Sequence, residues 1–161
     1  MNKVLLKSAI CAFLLFLVGN VSAQNFYSYE QIIQGSSVRS ANNFDLVRVK
    51  KLITELHPKL YLVNNNVLNT SVTNSYFADI DVASLGMLQN QQNNAGFEII
   101  KINVKNSDNF NIDLSQLRQT YTGLKYVYVS CNFVCDINYI INFFSNNDPE
   151  ILIIYSASNP I

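Results

Sequence analysis

The feature that most constrains the fold is an apolar, strand-like segment that recurs four times along the chain. Its copies are PKLYLVNNNVL (58–68), FEIIKINVKNS (97–107), LKYVYVSCNFV (124–134) and PEILIIYSASN (149–159). In every copy the fourth and sixth positions are apolar; in the third copy, for example, they are Val127 and Val129. Because apolar residues at every second position are typical of β-strands, the recurrence predicts four strands in similar environments.

The second position of each copy carries a charge whose sign alternates along the chain. The four residues are Lys59, Glu98, Lys125 and Glu150. Opposite charges stabilise neighbouring strands when they face each other across a sheet. This column therefore predicts that the four strands lie side by side in the register of the alignment.

Helix signals lie between these segments. Asp113 precedes Leu114 and Leu117, which share one helical face, and Asp is a favoured residue at helix starts. A second helix is predicted after Asp136, with apolar residues at helical spacing at Ile137, Ile140, Ile141 and Phe144. Three more helices are predicted upstream: a short one over 28–34, one over 44–56, and a weaker one from Asp79 or Asp81 through Leu88.

Strands that alternate with helices indicate a parallel sheet with right-handed crossovers, and hence an α/β fold. The last two copies begin 27 and 25 residues after the copy before them, at 124 and 149. These spacings are short for ordinary crossovers and fall in the range of leucine-rich repeats. We therefore predict a parallel sheet built from right-handed strand–helix repeats, with a three-layer α/β sandwich as the alternative.

Two of the copies resemble the leucine-rich repeat motif L-x-x-L-x-L-x-x-N-x-L. The first copy carries Tyr61, Val63, Asn66 and Leu68, and the third carries Leu124, Val127, Val129, Asn132 and Val134, at the motif positions. In the other two copies Lys105 and Ala157 occupy the Asn position. The resemblance implies a coil in which the Asn side chain bonds the backbone at the turn, and a sheet face that binds a partner.

Alternate strand residues define the face that such a coil would present. The predicted partner-binding residues are Lys101, Asn103, Tyr126, Tyr128, Ser130, Ile153 and Tyr155. The aromatic ring and polar tip of tyrosine suit a contact surface, and the predicted register puts Lys101 and Ile153 beside Tyr128. Burial beneath helices is the alternative, because a sheet that is apolar on both faces is normally covered on both.

The fourth copy ends the predicted sheet close to the last residue, Ile161. An uncovered edge strand offers unpaired backbone groups to another chain. This position predicts self-association through the C-terminal edge strand.

Cys131 and Cys135 form a C-x-x-x-C pair between a predicted strand and a predicted helix start. The segment resembles the active-site region of the thioredoxin-like Sco copper proteins, which implies thiol-redox chemistry or copper binding. Those proteins also need a His ligand downstream, whereas His57, the single histidine, lies upstream. A local disulfide and two buried thiols are the simpler alternatives. We expect His57 to cap the last carbonyls of the helix that precedes it.

The N-terminus has the parts of a secretory signal. Lys3 and Lys7 precede a short apolar run, and Val21-Ser22-Ala23 provides a small-residue cleavage site. We predict a signal peptide over 1–23 and a single α/β domain over 24–161. No cysteine follows the predicted cut, so a lipid anchor is not expected, and the mature protein is expected to be secreted or periplasmic.

Charge and motifs narrow the functional classes. Without Lys3 and Lys7 the chain has nine basic and eleven acidic residues, and it has no basic stripe, so nucleic acid is a poor partner. One His and two mature Cys cannot form a standard zinc site, and no phosphate-binding or hydrolase motif occurs. We predict a non-enzymatic protein without a cofactor or metal that binds a protein or glycan. The alternative is an extracytoplasmic thiol-redox or copper-binding protein that uses Cys131 and Cys135.

Overall fold

The computed structural model describes residues 26–34, 44–68, 75–90, 96–106 and 108–157. The predicted signal peptide and the predicted mature start at Gln24 lie outside these residues. The β-strands in the described part are β1 (Phe26–Ser28), β2 (Lys59–Val63), β3 (Asn66–Val67), β4 (Phe77–Asp81), β5 (Ile99–Val104), β6 (Ile112–Asp113), β7 (Tyr126–Cys131), β8 (Phe144–Ser145) and β9 (Leu152–Ala157). They confirm the predicted α/β class with a mostly parallel sheet.

Seven of the strands form one sheet in the order β1-β9-β7-β5-β4-β2-β3. All neighbours are parallel except β2 and β3, which form an antiparallel hairpin. Within this sheet β2, β4, β5, β7 and β9 therefore lie side by side in chain order. Because β9 lies between β7 and β1, it is an inner strand, and the predicted C-terminal edge is wrong.

The helices are α1 (Tyr29–Gln34), α2 (Leu46–Thr54), α3 (Leu85–Asn90), α4 (Leu114–Thr120) and α5 (Ile137–Ile141), and a 3-10 turn over Val82–Ser84 leads into α3. Asp113 and Asp136 cap α4 and α5, as predicted, and Asp45 caps α2. Each carboxylate accepts a hydrogen bond from the backbone N–H three residues later, which satisfies a donor that the helix itself leaves unpaired.

Helices pack on both faces of the sheet. On one face, residues such as Ile102 and Val129 pack against Leu88, Leu117 and Ile140 from α3, α4 and α5. On the other face, Ile99 and Tyr126 belong to a second buried cluster with side chains from α1 and α2. The bare sheet face that a partner would need is therefore largely covered, as the sandwich alternative predicted.

The short strands β6 and β8 pair in parallel as a second, two-stranded sheet on the same side as α3, α4 and α5. Phe144, predicted to lie in the helix after Asp136, is the first residue of β8, because α5 ends at Ile141. Another correction concerns Asp79, which lies within β4 and opens no helix. Asp81 caps the 3-10 turn that precedes α3, so the second of the two predicted starts is the observed one.

The four predicted strands are not all adjacent, because β4 lies between β2 and β5. Among the adjacent pairs, the predicted register is correct for one and wrong by one residue for another. Ile99 pairs with Tyr126, which aligns Glu98 with Lys125, and their charged groups lie 3.8 Å apart. Tyr126 pairs with Leu152, so Lys125 does not align with Glu150. Since side chains alternate across a strand, this slip moves the predicted residues on β9 to the opposite face.

The hairpin between β2 and β3 turns through Asn64 and Asn65, whose φ angles are 50° and 58°. Asparagine tolerates this left-handed backbone better than most residues, and two such residues are typical of a tight hairpin turn. Asp81, at the end of β4, accepts a hydrogen bond of 2.8 Å from the Asn64 backbone N–H. The asparagine run in the first copy therefore forms a turn that is fastened to the neighbouring strand.

Candidate functional site

Four polar residues form a row across the carboxyl ends of adjacent strands. Asp81 pairs with Asn103, Asn103 with Ser130, and Ser130 with Ser156. We call these four residues the polar row. The carboxyl ends of parallel strands are where α/β sheets commonly bind ligands, so the row marks the candidate site.

The sequence of each strand explains why the row lies at this edge. On the α1 and α2 side, the first level across four strands is apolar and consists of Phe77, Ile99, Tyr126 and Leu152. Two residues further along, the level is mixed and consists of Asp79, Lys101, Tyr128 and Ile154. The polar row is the third level. Polarity therefore rises from the amino end to the carboxyl end of one sheet face.

A groove of about 560 Å³ opens beside three members of the polar row and the first turn of α1. Its polar lining includes Glu30, Asn103, Lys105, Ser130, Asn132 and Ser156. The rings of Tyr29 and Tyr128 line it as well. The volume of the groove lies within the range of small-ligand sites, which is about 300–1,000 Å³.

Tyr128 lies at the floor of the groove and is 8% exposed. Its hydroxyl lies 2.9 Å from Ser156 Oγ, and its ring stacks on Tyr29 with centroids 6.1 Å apart. Burial raises the pKa of the Tyr128 phenol, although hydrogen bonds to Ser156 and Ser130 oppose the shift. The phenol therefore stays protonated near neutral pH, where it donates and accepts hydrogen bonds.

Asp79, Lys101 and Asn103 form a network beside the groove. Asn103 Nδ2 donates to Asp79 Oδ1 at 2.6 Å and to the Ile80 carbonyl at 3.0 Å. Lys101 Nζ lies 3.7 Å from Asp79 Oδ2 and 5.9 Å from the centre of the Tyr128 ring. The charge of Lys101 is thus balanced by Asp79. The Asn103 Oδ1 atom takes part in neither of these hydrogen bonds.

The structure brings four of the predicted partner-binding residues together, namely Lys101, Asn103, Tyr128 and Ser130. Tyr126 lies on the same face but is 1% exposed, since it packs in the α1 and α2 core with Phe44 against its ring. Ile153 and Tyr155 pack on the α3 to α5 side. The predicted single contact face is therefore wrong for these three residues, because Tyr126 is covered and β9 is shifted.

Sequence reasoning missed Tyr29, Glu30 and Ser156. Ser156 would have joined Ser130 if the fourth copy had been aligned one residue later, so a signal for it was present. Tyr29 and Glu30 reach the groove because β1 pairs with β9, a contact between opposite ends of the described chain. Periodicity within a segment carries no information about such a pairing.

The structure carries Cys131 and Cys135 as free thiols. Their side chains hydrogen-bond each other, and Cys135 Sγ lies 4.0 Å from the Ser156 carbonyl. Burial raises the pKa of both thiols. A raised pKa suppresses the thiolate, which is the form that attacks disulfides and binds metals.

No cluster of three or more His, Cys, Asp or Glu residues suited to a metal ion occurs in the described ranges. His57 Nε2 lies 3.0 Å from the Lys51 carbonyl in the last turn of α2, so the predicted capping role is confirmed. His57 Nδ1 lies 2.9 Å from the Tyr76 hydroxyl. His57 therefore links the end of α2 to Tyr76 at the amino edge of the sheet, away from the cysteine pair at the carboxyl edge.

Comparisons with protein-family models, with curated proteins and with solved structures found no significant match. Among the helices of the described residues, none has the length and apolar character needed to cross a membrane.

Proposed function

We propose that the chain is a secreted or periplasmic, non-enzymatic binding protein whose ligand occupies the groove at the carboxyl edge of the sheet. The polar row is the observation that carries this proposal. Four neighbouring strands place Asp81, Asn103, Ser130 and Ser156 at one level, and the last three line a groove large enough for a small molecule. The mechanism is recognition by hydrogen bonds from these three residues.

The contrast along the sheet face supports this proposal. At the amino end the strands use Phe77, Ile99 and Leu152, which α1 and α2 bury. The third level is only half-buried, and there Asp81 and Asn103 already hydrogen-bond the β2–β3 hairpin and Asp79. Ser130 and Ser156 line the groove beside them, and contact with a ligand explains their polarity.

We also propose that the sheet is built from coils like those of leucine-rich repeats. In the main sheet β2, β4, β5, β7 and β9 are neighbours in chain order, and the helices between them, α3, α4 and α5, share one core. The pairing of β6 with β8 adds a second contact between successive units on that side. We propose that each strand and its following segment form one coil, and that α1 and α2 cover the amino half of the face where the coils would otherwise bind.

A thiol-redox or copper function ranks below binding. Its best feature is the Cys131–Cys135 contact next to the groove. The raised pKa of both thiols works against it, since both redox attack and copper binding use the thiolate.

Amide chemical shifts of the nitrogen-15-labelled chain 24–161 provide the test. One sample is titrated with a mixture of neutral hexoses, and a second with a mixture of pentapeptides. We expect shift changes with at least one mixture, concentrated in 103–105, 128–132 and 156–157. Changes centred on the amino edge, around Glu98 and Lys125, would contradict the proposal, as would unchanged spectra in both titrations.

A further inference from the structure

We propose that the ligand of the carboxyl-edge groove is a neutral saccharide. This inference rests on the proposed binding function and adds the chemical class of the ligand. Its basis is the match between the polyhydroxylated surface of a sugar and the groups that line the groove.

The groove offers hydroxyl and amide groups in place of a strong charge. Tyr128, Ser130 and Ser156 each bring a hydroxyl group, and Asn103 and Asn132 bring side-chain amides. A hydroxyl group both donates and accepts, and an amide does so through separate atoms. A sugar presents several adjacent hydroxyl groups that also do both, so each can pair with this set.

The existing hydrogen bonds of these groups leave them able to bind a ligand in the groove. The Tyr128 hydroxyl and Ser156 Oγ already share one hydrogen bond, in which either atom can donate. Each oxygen therefore keeps capacity for a further bond. Asn103 is held by its Nδ2 atom, which fixes the direction of its Oδ1 acceptor. A held acceptor beside adaptable hydroxyl groups binds with little loss of side-chain freedom.

The charged groups of the groove balance one another. Glu30 and Lys105 are exposed residues of opposite sign that both line it, and Lys101 is paired with Asp79. A ligand with a net charge would meet one attractive and one repulsive group. A neutral ligand meets no such conflict. The groove therefore suits a neutral ligand better than an anion such as phosphate or sulfate.

The apolar part of the groove fits the C–H face of a sugar ring. Tyr29 is only partly buried and lines the groove together with Ala157. Its ring stacks on Tyr128 at an interplanar angle of 17°, which holds it in place. A fixed aromatic surface beside hydrogen-bonding groups is the combination that amphipathic ligands require.

The experiment measures the binding of defined probes to the chain 24–161 by ligand-observed NMR. The saccharide probes are glucose, galactose, mannose, N-acetylglucosamine and their common disaccharides, and the comparison probes are glycine, glutamate, pentaglycine and inorganic phosphate. We expect saturable binding of at least one saccharide. Ser130→Ala and Asn132→Ala should each raise its Kd about three- to tenfold, the effect of one lost hydrogen bond.

Ser145→Ala is the matched control, because Ser145 is also a partly buried strand serine but lies in β8. It should leave the Kd unchanged. Binding of a comparison probe alone, weakened by Ser130→Ala, would overturn the saccharide inference and leave the groove as a binding site. Saccharide binding that neither groove variant weakens would overturn the inference and the site together, as would the absence of binding by every probe.

Discussion

The Tyr128 hydroxyl lies 2.9 Å from Ser156 Oγ and joins β7 to β9 at the floor of the groove. Tyr128→Phe should lower the free energy of unfolding by about 1 kcal/mol, the net value of one partly buried hydrogen bond. Tyr139→Phe is the control, because its hydroxyl has no hydrogen-bond partner among the described residues although its ring packs on Phe133 and Phe143. Urea unfolding curves measure both, and equal losses would contradict a structural role for the Tyr128–Ser156 bond.

A charged substitution should destabilise the protein to a similar extent at Tyr128 and at the adjacent Val129 on β7. Tyr128 is 8% exposed and Val129 is 0% exposed, on opposite faces of the sheet. Tyr128→Asp and Val129→Asp should each lose several kcal/mol of stability or fail to fold, because each buries a carboxylate. Val134→Asp, at a position that is 69% exposed, should cost little. Thermal melts decide the matter, and a stable Tyr128→Asp protein would mean that Tyr128 lies on an open surface.

Tyr126 should make the protein sensitive to alkali. Burial raises its pKa from the ordinary 10.0 to about 12. The unfolded chain therefore releases this proton first, so the stabilisation is complete below pH 10 and is lost as the pH rises toward 12. Wild type should lose about 1–3 kcal/mol more than Tyr126→Phe over that range. Urea unfolding at pH 8 and pH 11 measures the difference, and parallel losses in both proteins would refute it.

Asp81 should give the opposite dependence at low pH. Burial of its carboxylate opposes ionisation, but hydrogen bonds from Ser84 and from the Asn64 backbone outweigh this and lower its pKa below the ordinary 3.8. Its contribution is complete above pH 3.8 and disappears as the pH falls through the lowered value. Asp81→Ala should cost about 1–3 kcal/mol at pH 7 and much less at pH 2.

Unfolding at the two pH values tests this prediction. Glu55→Ala removes an exposed acid after α2 and serves as the control, with little effect at either pH. A loss in Asp81→Ala that is the same at pH 7 and pH 2 would contradict ionised Asp81 as the fastener of the β2–β3 hairpin.

Cys131 and Cys135 should behave as protected thiols. Burial raises the pKa of both, so the native chain 24–161 should react slowly with a disulfide reagent at pH 7.5 and yield two thiols after unfolding without reductant. Cys131→Ser should cost about 1–3 kcal/mol, because the hydroxyl enters the core, and Cys135→Ser should cost less. No thiols after unfolding would reveal a disulfide, and tight stoichiometric copper binding would favour the alternative function.

Local signals in the sequence predicted the helix starts well. Asp113 and Asp136 each act on a backbone N–H only three residues away, so a short window contains the whole interaction. His57 likewise reaches Lys51 within the same helix end. The strand β4 was missed because Asp79 and Asp81 were interpreted as helix starts, although they alternate with Ala78 and Ile80 as strand residues do.

Predictions that depended on long-range pairing were less successful. Three residues of the groove, Asn103, Tyr128 and Ser130, were predicted, because they lie on two strands whose register the charge pair Glu98–Lys125 revealed. The loop before β9 holds one residue more than the alignment allowed, and Ile153 and Tyr155 changed faces as a result. The cover provided by α1 and α2 was predicted only as an alternative, from the apolar residues on both faces of the strands, because the repeat pattern itself does not distinguish a covered face from a bare one.

The pairing of β1 with β9 has a consequence for the order of folding. Phe26 contacts Ile153, so the first described strand finds its partner only after nearly the whole chain is available. A contact of such long sequence separation forms late and slowly, because the loop that it closes costs entropy before any gain. A partly synthesised chain lacks this closing contact and also lacks one wall of the groove. A chain that ends before β9 should therefore lose both its stable fold and its ability to bind a ligand in the groove.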